Sequence, residues 1–576
     1  MLDRRVLVDL STGTISEERF EDRELVDFVG GWGLGVKLLS DITDPTIDPL
    51  NPGNPLIIAV GPLTGLAPLS GRHSIVTKSP FTGTIFDSSG GGHFGRALRY
   101  AEIGALVITG ASVDPVYIAV DDESVEIKDA GSLGGLNVRK TTDELKKSGR
   151  VACIGRAGER LVRISSIMND YVHTCGRGGL GAVMGSKHLK AITVHGTKKP
   201  KPEYSKGFDT AKGEAMRLLR ASPVLKRLNT YGTLVLVNLM NYMYIMPMGN
   251  FNKRHFEEAE HISGEHIRER YNLKNHACVN CFVACKHRDK NTGLEIPAYE
   301  TIWAFGIDNN NSDIGTIIEV NRECNDYGID TISTGSTIAC HSGIIGKKIP
   351  PEEIPEIVRS IEEKNGIGAK LSDGSRIYAT SHMHPDLSRT AKGLEFPGYD
   401  PCGVLGQALG YATSNRGGCH FQAYMVSPEI LGKPKLIDRT TLRGKAGLIN
   451  MFQNFSATTD TLILYRFTSF ALGEEECVNL LSTATGHNYA SEEFLLMGER
   501  IWNMERLYNQ GAGITEIDDT LPPRFFKNEK EINQGEFLKT IQEYYHYRGW
   551  NNQGIPEREK NLKNWKYHRY IGDTYV

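Results

Sequence analysis

The chain has 576 residues, a formal net charge of −3 and ten cysteines. That length implies three or four domains with a large core, and the balanced charge gives no reason to expect a nucleic-acid or membrane-surface partner. Apolar runs such as 56–60 and 105–109 are too short to span a bilayer, no apolar stretch of signal-peptide type follows Arg4-Arg5, and scattered cysteines suit a reducing compartment better than a disulfide framework, so a cytoplasmic protein is expected.

Residues 1–199 read as a β-rich first domain. Val6–Leu10 alternates, Ser11-Thr12-Gly13 signals a hairpin, and apolar runs near Ile57, Ile75, Val107, Val116 and Val151 are punctuated by Gly and Pro. Three polar, glycine-rich loops interrupt them: Gly71-Arg72, Gly90–Gly95 and His173–Gly181. Successive backbone N–H groups beside an arginine or histidine suit phosphate. Three such loops in one domain favour that reading over ordinary tight turns.

Residues 200–403, behind the linker Lys199-Pro-Lys-Pro202, turn to helical periodicity. Their central feature is Cys278-x2-Cys281-x3-Cys285. Thiolates at that spacing converge on one point and suit an iron–sulfur cluster, although a cubane normally takes four cysteines. Zinc and three buried structural cysteines are the alternatives. Downstream, Tyr299-Glu300-Thr-Ile-Trp303 sets an acid in apolar surroundings, where desolvation would raise its pKa and make it a general acid or base; a carboxylate paired with a nearby basic group is the alternative. Ser312-Asp313 is expected to cap a helix ending at Gly328, with a second helix from about Ser333. Residues 404–576 carry Asn415-Arg-Gly-Gly-Cys-His420, continue helical through the amphipathic stretch Gly498–Leu507, and end from Asn551 in a charged tail expected to be a surface extension.

Val60-Gly-Pro-Leu-Thr-Gly65, Gly71-Arg72 with Val76–Pro80, Met168-Asn-Asp170, Gly176-Arg-Gly-Gly with Gly181–Lys187, the three-cysteine loop, Asp330–Gly335 and Asn415–His420 together resemble, in order and almost end to end, the tungsten-containing aldehyde ferredoxin oxidoreductases. The resemblance implies an α+β fold, with a β-rich base domain and two mostly helical domains enclosing a tungstopterin site. It also implies a bis-tungstopterin holding tungsten (or molybdenum), a magnesium between the pterin phosphates, and a [4Fe–4S] cluster passing electrons to ferredoxin or a ferredoxin-like subunit; the lack of a cysteine at the fourth ligand position leaves [3Fe–4S] as the alternative cluster. The substrate it implies is an aldehyde, oxidised with water to a carboxylic acid. Carried over position by position, cofactor contacts fall on Arg72, Ser89, Gly91, His173, Thr174, Gly176, Arg177, Asn325, Ile329, Asp330, Arg416, Gln422, Asp460, Leu464 and Tyr465. The cluster ligands would be Cys278, Cys281 and Cys285, the backbones of Ser89 and Thr174 would carry magnesium, and Glu300 would act as base with His420 as donor to the aldehyde oxygen.

The chain departs from the family pattern at the redox site. Asn325-Asp-Tyr-Gly-Ile-Asp330 lacks the leading acid of the first pterin motif, and Asp460-Thr-Leu-Ile-Leu-Tyr465 places tyrosine where the fourth cluster cysteine should stand. Cys477 is the nearest replacement along the chain, with a buried helical cysteine as the alternative. Glu319-Val-Asn-Arg322 replaces the E-x-x-H of a dimer-bridging metal, which leaves a homodimer possible without that metal. Cys340 and Cys402 appear where a thiolate on the metal would favour a different reaction, the reduction of a carboxylic acid or aromatic acyl-CoA with an electron-transfer partner. A catalytically silent subunit that binds metal or pterin is the remaining alternative; keeping Glu300 and His420 argues against it.

Overall fold

The hairpin at Ser11–Gly13 opens the first of two six-stranded mixed sheets. The structure is a computed structural model that describes residues 2–527 and 531–557. The first sheet contains β1 (Arg4–Asp9), β2 (Thr14–Arg19), β3 (Leu56–Ala59), β4 (His73–Lys78), β5 (Ile85–Gly90) and β6 (Ile103–Thr109), in the order β2-β1-β6-β3-β4-β5. The second contains β7 (Val116–Asp121), β8 (Ser124–Asp129), β9 (Arg150–Cys153), β10 (Ile167–Asn169), β11 (His173–Cys175) and β12 (Leu189–His195), in the order β11-β10-β9-β12-β7-β8. Each sheet holds one parallel pair, β1 with β6 and β7 with β12. Central strands β3, β4 and β6 are buried along nearly their whole length, as strands covered on both faces must be.

From Ser205 onward the chain is largely helical, with two small hairpins, Leu273–His276 paired to Lys286–Asp289 and Thr390–Ala391 paired to Leu394–Glu395. The cap expected at Asp313 is present: its carboxylate accepts from the N–H groups of Gly315 and Thr316 at the start of the helix Ile314–Tyr327, and Gly328, at φ +72°, ends it. The next helix, Thr331–Ile345, begins two residues before Ser333 because Asp330 is its cap.

The helix Gly31–Ile42 joins the two halves. Trp32, Leu34, Val36 and Leu39 are wholly buried, each contributing about 1.5–3 kcal/mol of apolar burial. Trp32 donates its indole N–H to Glu505 at 2.7 Å, and the Gly33 N–H donates to Thr461 Oγ1 at 3.0 Å. A Cβ on Gly61 would sit 2.8 Å from the backbone of Thr461 and Leu462, so only glycine lets the base domain approach the segment that follows Asp460 so closely.

Residues 551–557 lie mostly at the surface, as expected, but they are tied down: Arg506 Nε donates to the Gly554 carbonyl at 2.9 Å, Gln510 donates to the same oxygen at 3.1 Å, and Trp550 bridges to Pro556. The rest of that tail, 558–576, lies outside the described residues.

Candidate active site

Glu300 sits on the helix Tyr299–Phe305, whose other residues are all buried. A helix apolar all round belongs in a core, and a carboxyl on it is desolvated. Burial lifts its pKa to about 7, against the Gly398 N–H, which donates to Oε2 at 3.1 Å, and the charge of Arg177. His420 Nε2 lies 3.6 Å from Glu300 Oε1. Burial, then Arg177, Arg416 and Arg466, push the imidazole well below its ordinary pKa, so it is neutral. Both groups line a cavity of about 530 Å³ walled mainly by aromatic and aliphatic side chains, among them Tyr399, Phe421, Tyr424, Phe467, Phe470 and Leu236.

The three glycine-rich loops meet the cysteine loop. Arg72 Nε donates to Ser89 Oγ at 2.8 Å, and its Nη2 donates to the Ser89 carbonyl. A Cβ on Gly91 would lie 3.0 Å from Cys278 Sγ, 3.1 Å from His173 Nδ1 and 3.3 Å from Arg72 Nη1. The bare Cα of Gly91 is thus the floor under Cys278. Burial pushes the Cys285 thiol up to about 12 and raises Cys281, with the neighbouring thiols adding to both. Two thiols raised by burial on one short loop with a third suit a bound metal, which would take them as thiolates.

Two clusters of charge flank the Glu300–His420 pair. On one side, Asp330 is spent on structure: Oδ1 accepts from Ser333 N at 2.8 Å and Oδ2 from Arg177 N at 3.1 Å, while the Arg177 guanidinium reaches the Glu395 carbonyl. Gly176 is packed against the same carboxylate. Thr174 pairs with Met168 across β10 and β11. Ile329 is buried and bridges Ser165, and Asn325 is half-buried near the end of its helix. On the other side, Arg416 pairs with Asp87 at 2.9 Å and donates to Cys419 Sγ at 2.8 Å. Gln422 reaches Asp87 at 3.5 Å, Asp460 pairs with Arg466 at 2.6 Å, and buried Leu464 is held through its N–H by Thr459.

Asp87, Arg466 and Glu505 belong to this second cluster and were not singled out from the sequence. Asp87 had a signal, as a lone acid inside the strand that delivers Ser89. Arg466 adjoins Tyr465, but its role depends on the fold of 456–466. Glu505 sits on the buried face of a long helix, where only the partners Trp32 and Asn415 explain it.

Among the described residues, Arg177 Nη1, Arg416 Nε, Arg466 Nε and His173 Nε2 are buried without a hydrogen-bond partner. Leaving a buried donor unpaired costs roughly 1–3 kcal/mol; the three arginines, whose charges all act on His420, fit a ligand rich in anionic oxygens, while His173 stands apart from them beside Cys278.

Several expected residues are not brought to the site. Cys477 is fully buried in the helix Glu474–Thr485, and the charges acting on its thiol are Glu474 and Glu476 of its own helix; none of the cluster-loop thiols acts on it. Cys340 faces Arg389 and Glu395, and Cys402 lies beside Asp400 and Arg254; neither is among the residues that line the cavity of Glu300 and His420. Glu319 is taken by Arg359 of the same chain at 3.2 Å.

The sequence matches the family described as aldehyde ferredoxin oxidoreductase, N-terminal domain, over residues 5–196, and aldehyde ferredoxin oxidoreductase, domains 2 and 3, over residues 210–563. Fold and site together define an oxidoreductase, and the chain belongs to the aldehyde ferredoxin oxidoreductase family, a ferredoxin-linked family of enzymes. It is 40% identical over 589 residues, 97% of each chain, to the tungsten-containing aldehyde ferredoxin oxidoreductase of Pyrococcus furiosus, and equally similar to that of Thermococcus kodakarensis. It is 26% identical to a Pyrococcus furiosus protein named aliphatic sulfonate oxidoreductase, WOR-like subunit, covering 96% of this chain and 95% of that one. Among solved structures it shares its fold with the active-site complex BamBC of benzoyl coenzyme A reductase in complex with 1,5-dienoyl-CoA, at TM-score 0.85 and 21% identity, covering 98% of this chain and 96% of the other. No helix among the described residues is long and apolar enough to cross a membrane.

Proposed function

We propose that the chain oxidises an aldehyde to the carboxylic acid at a bis-tungstopterin enclosed between the base and the helical region, with electrons leaving through an iron–sulfur cluster to ferredoxin. The observation that carries this reading is the Glu300–His420 pair on the wall of a mainly apolar cavity, with the charges of Arg177, Arg416 and Arg466 acting on the histidine and one nitrogen of each arginine unsatisfied. Its names are those of relatives 40% identical over nearly the whole chain.

Arg177, Arg416 and Arg466 would hold the anionic oxygens of the pterins, and Cys278, Cys281 and Cys285 would hold the cluster. When bound, the tungstopterin supplies the two-electron acceptor and the oxygen-transfer centre, and the cluster moves electrons singly. The aromatic wall excludes water from the aldehyde and orients it. Glu300, with a pKa of about 7, takes up a proton as the acid forms. His420 is neutral, so it offers the carbonyl oxygen an N–H hydrogen bond rather than a full proton, as an electrophilic imidazole does.

Magnesium has no part in the proposal: nothing at the Ser89 and Thr174 backbones supports it, and the Ser89 carbonyl accepts from the Arg72 guanidinium. The acyl-CoA or carboxylate-reducing reading drew on the altered cluster together with Cys340 and Cys402; neither cysteine lines the cavity of Glu300 and His420, and the retained Glu300–His420 pair favours aldehyde oxidation.

The test is the metal content of anaerobically purified protein, with aldehyde-dependent reduction of a viologen dye. Tungsten or molybdenum at about one per chain together with iron and dye reduction is expected. Absence of both tungsten and molybdenum would overturn the proposal.

A further inference from the structure

The cysteine loop offers three thiols, and Tyr465 occupies the place facing them. Leu69 donates its N–H to the carbonyl of Asn280, between Cys278 and Cys281, at 3.0 Å, and its own carbonyl accepts from the Tyr465 N–H at 3.0 Å. One residue therefore ties the backbone of Tyr465 to the backbone of the loop. The side chains are contiguous too. The Arg72 guanidinium lies over the Tyr465 ring, 4.7 Å from its centroid, and Arg72 Nη1 and Cys278 Sγ flank the same bare side of Gly91, 3.3 Å and 3.0 Å from where its Cβ would be. Tyr465 also lines the cavity shared with Glu300 and His420.

No fourth thiol faces this point among the described residues. Cys477 is enclosed in its own helix, and Cys175 contacts His73 at 3.5 Å and Asn169 at 3.8 Å. The loop thus offers three sulfur anchors, with the Tyr465 ring and the Arg72 guanidinium beside them.

We infer that the iron–sulfur cluster is held by Cys278, Cys281 and Cys285 alone, its fourth corner opening on the Tyr465 phenol and the substrate cavity, so that the fourth iron is exchangeable. This rests on the cluster proposed above. Iron–sulfur irons are held by thiolates, and an iron facing no cysteine lacks the protein anchor of the other three. One-electron oxidation then releases it: [4Fe–4S]2+ loses one electron to ferricyanide and one Fe2+ to solvent, leaving [3Fe–4S]+ with its sulfides intact. Ferrous iron and a one-electron reductant reverse the step.

The experiment treats the anaerobically purified full chain with ferricyanide, follows EPR and iron content, and then adds ferrous iron with dithionite. Tyr465→Cys and Tyr465→Phe are run beside it. The expected result is a three-iron EPR signal with loss of about one iron in four, recovery on reconstitution, the same behaviour in Tyr465→Phe, and loss of the three-iron signal in Tyr465→Cys, which restores a fourth thiolate. A wild-type cluster that keeps all its iron under ferricyanide and gives no three-iron signal would overturn the inference, whether or not Tyr465→Cys folds. A loop that carries zinc and no iron would remove the cluster reading itself, a distinguishable failure.

Discussion

His420 Nε2 stands 3.6 Å from Glu300 Oε1, yet the two do not form an ion pair. Burial holds the carboxyl at a pKa near 7, so that it is partly ionised at neutral pH, and holds the imidazole well below its usual value, so that the histidine is uncharged. The neighbouring Arg177, Arg416 and Arg466 reinforce this for the histidine.

Glu300 must be ionised to accept a proton, and it is protonated below about pH 7. kcat/KM for aldehyde oxidation should therefore rise with pH through a single ionisation near 7 and level off above it. Glu300→Gln removes the base and should lower kcat by about 10²–10⁴-fold with tungsten and iron content unchanged. A wild-type profile flat from pH 5.5 to 8.5 would remove Glu300 from the role of base.

Arg466 holds Asp460 and Ser456 with two of its nitrogens while Nε is left without a partner. Arg466→Met should leave the fold intact but lower the pterin and tungsten retained after gel filtration. Arg466→Lys keeps a charge but loses the planar fork and should fall between. Equal metal content in all three proteins would show that Arg466 serves Asp460 only.

Helix signals were local and so legible in the sequence: Asp313 needs only the next two N–H groups to be a cap, and Gly328 only its own left-handed backbone to be a stop. Glu300 was legible for the same reason, as a lone acid in an apolar helix. Asp87, Arg466 and Glu505 were not, because each is explained by a partner hundreds of residues away or by a fold no short pattern encodes. Cys477 shows the converse: proximity in sequence to Tyr465 suggested a ligand, but the helix Glu474–Thr485 buries the thiol away from the cysteine loop. The resemblance carried the two-part architecture; the closure of one part on the other depends on contacts such as Trp32 to Glu505.

Asp519 ties three segments within the helical region together. It is fully buried between Lys392 Nζ at 2.7 Å and Arg506 Nη2 at 2.9 Å, and accepts from the Tyr545 hydroxyl at 2.5 Å. Burial alone would raise its pKa, but the two cations outweigh it and the net shift is downward. A carboxylate with a depressed folded pKa stabilises fully above its unfolded value and loses that contribution as pH falls through the folded one. Asp519→Asn strands two buried cations and should cost roughly 3–5 kcal/mol, read as a lower denaturation midpoint at pH 7, with a shallower loss of stability on acidification than wild type. An unchanged midpoint would mean the cations find water or another acceptor.

On the proposed function, the cavity beside Glu300 receives the aldehyde's carbon chain. Its walls are aromatic and aliphatic, Tyr399, Phe421, Tyr424, Phe467, Phe470 and Leu236 among them, and about 530 Å³ suits a compact apolar molecule. Each methylene buried there contributes about 0.8 kcal/mol, roughly fourfold in kcat/KM. In a series of straight-chain aldehydes kcat/KM should climb by that factor per carbon and then plateau as the cavity fills, while hydroxylated aldehydes of equal length should be poor substrates. Phe470→Ala should move the plateau to longer chains without changing the pH profile that Glu300 imposes. A preference for hydroxylated over plain aldehydes would show that the apolar wall is not what the substrate meets.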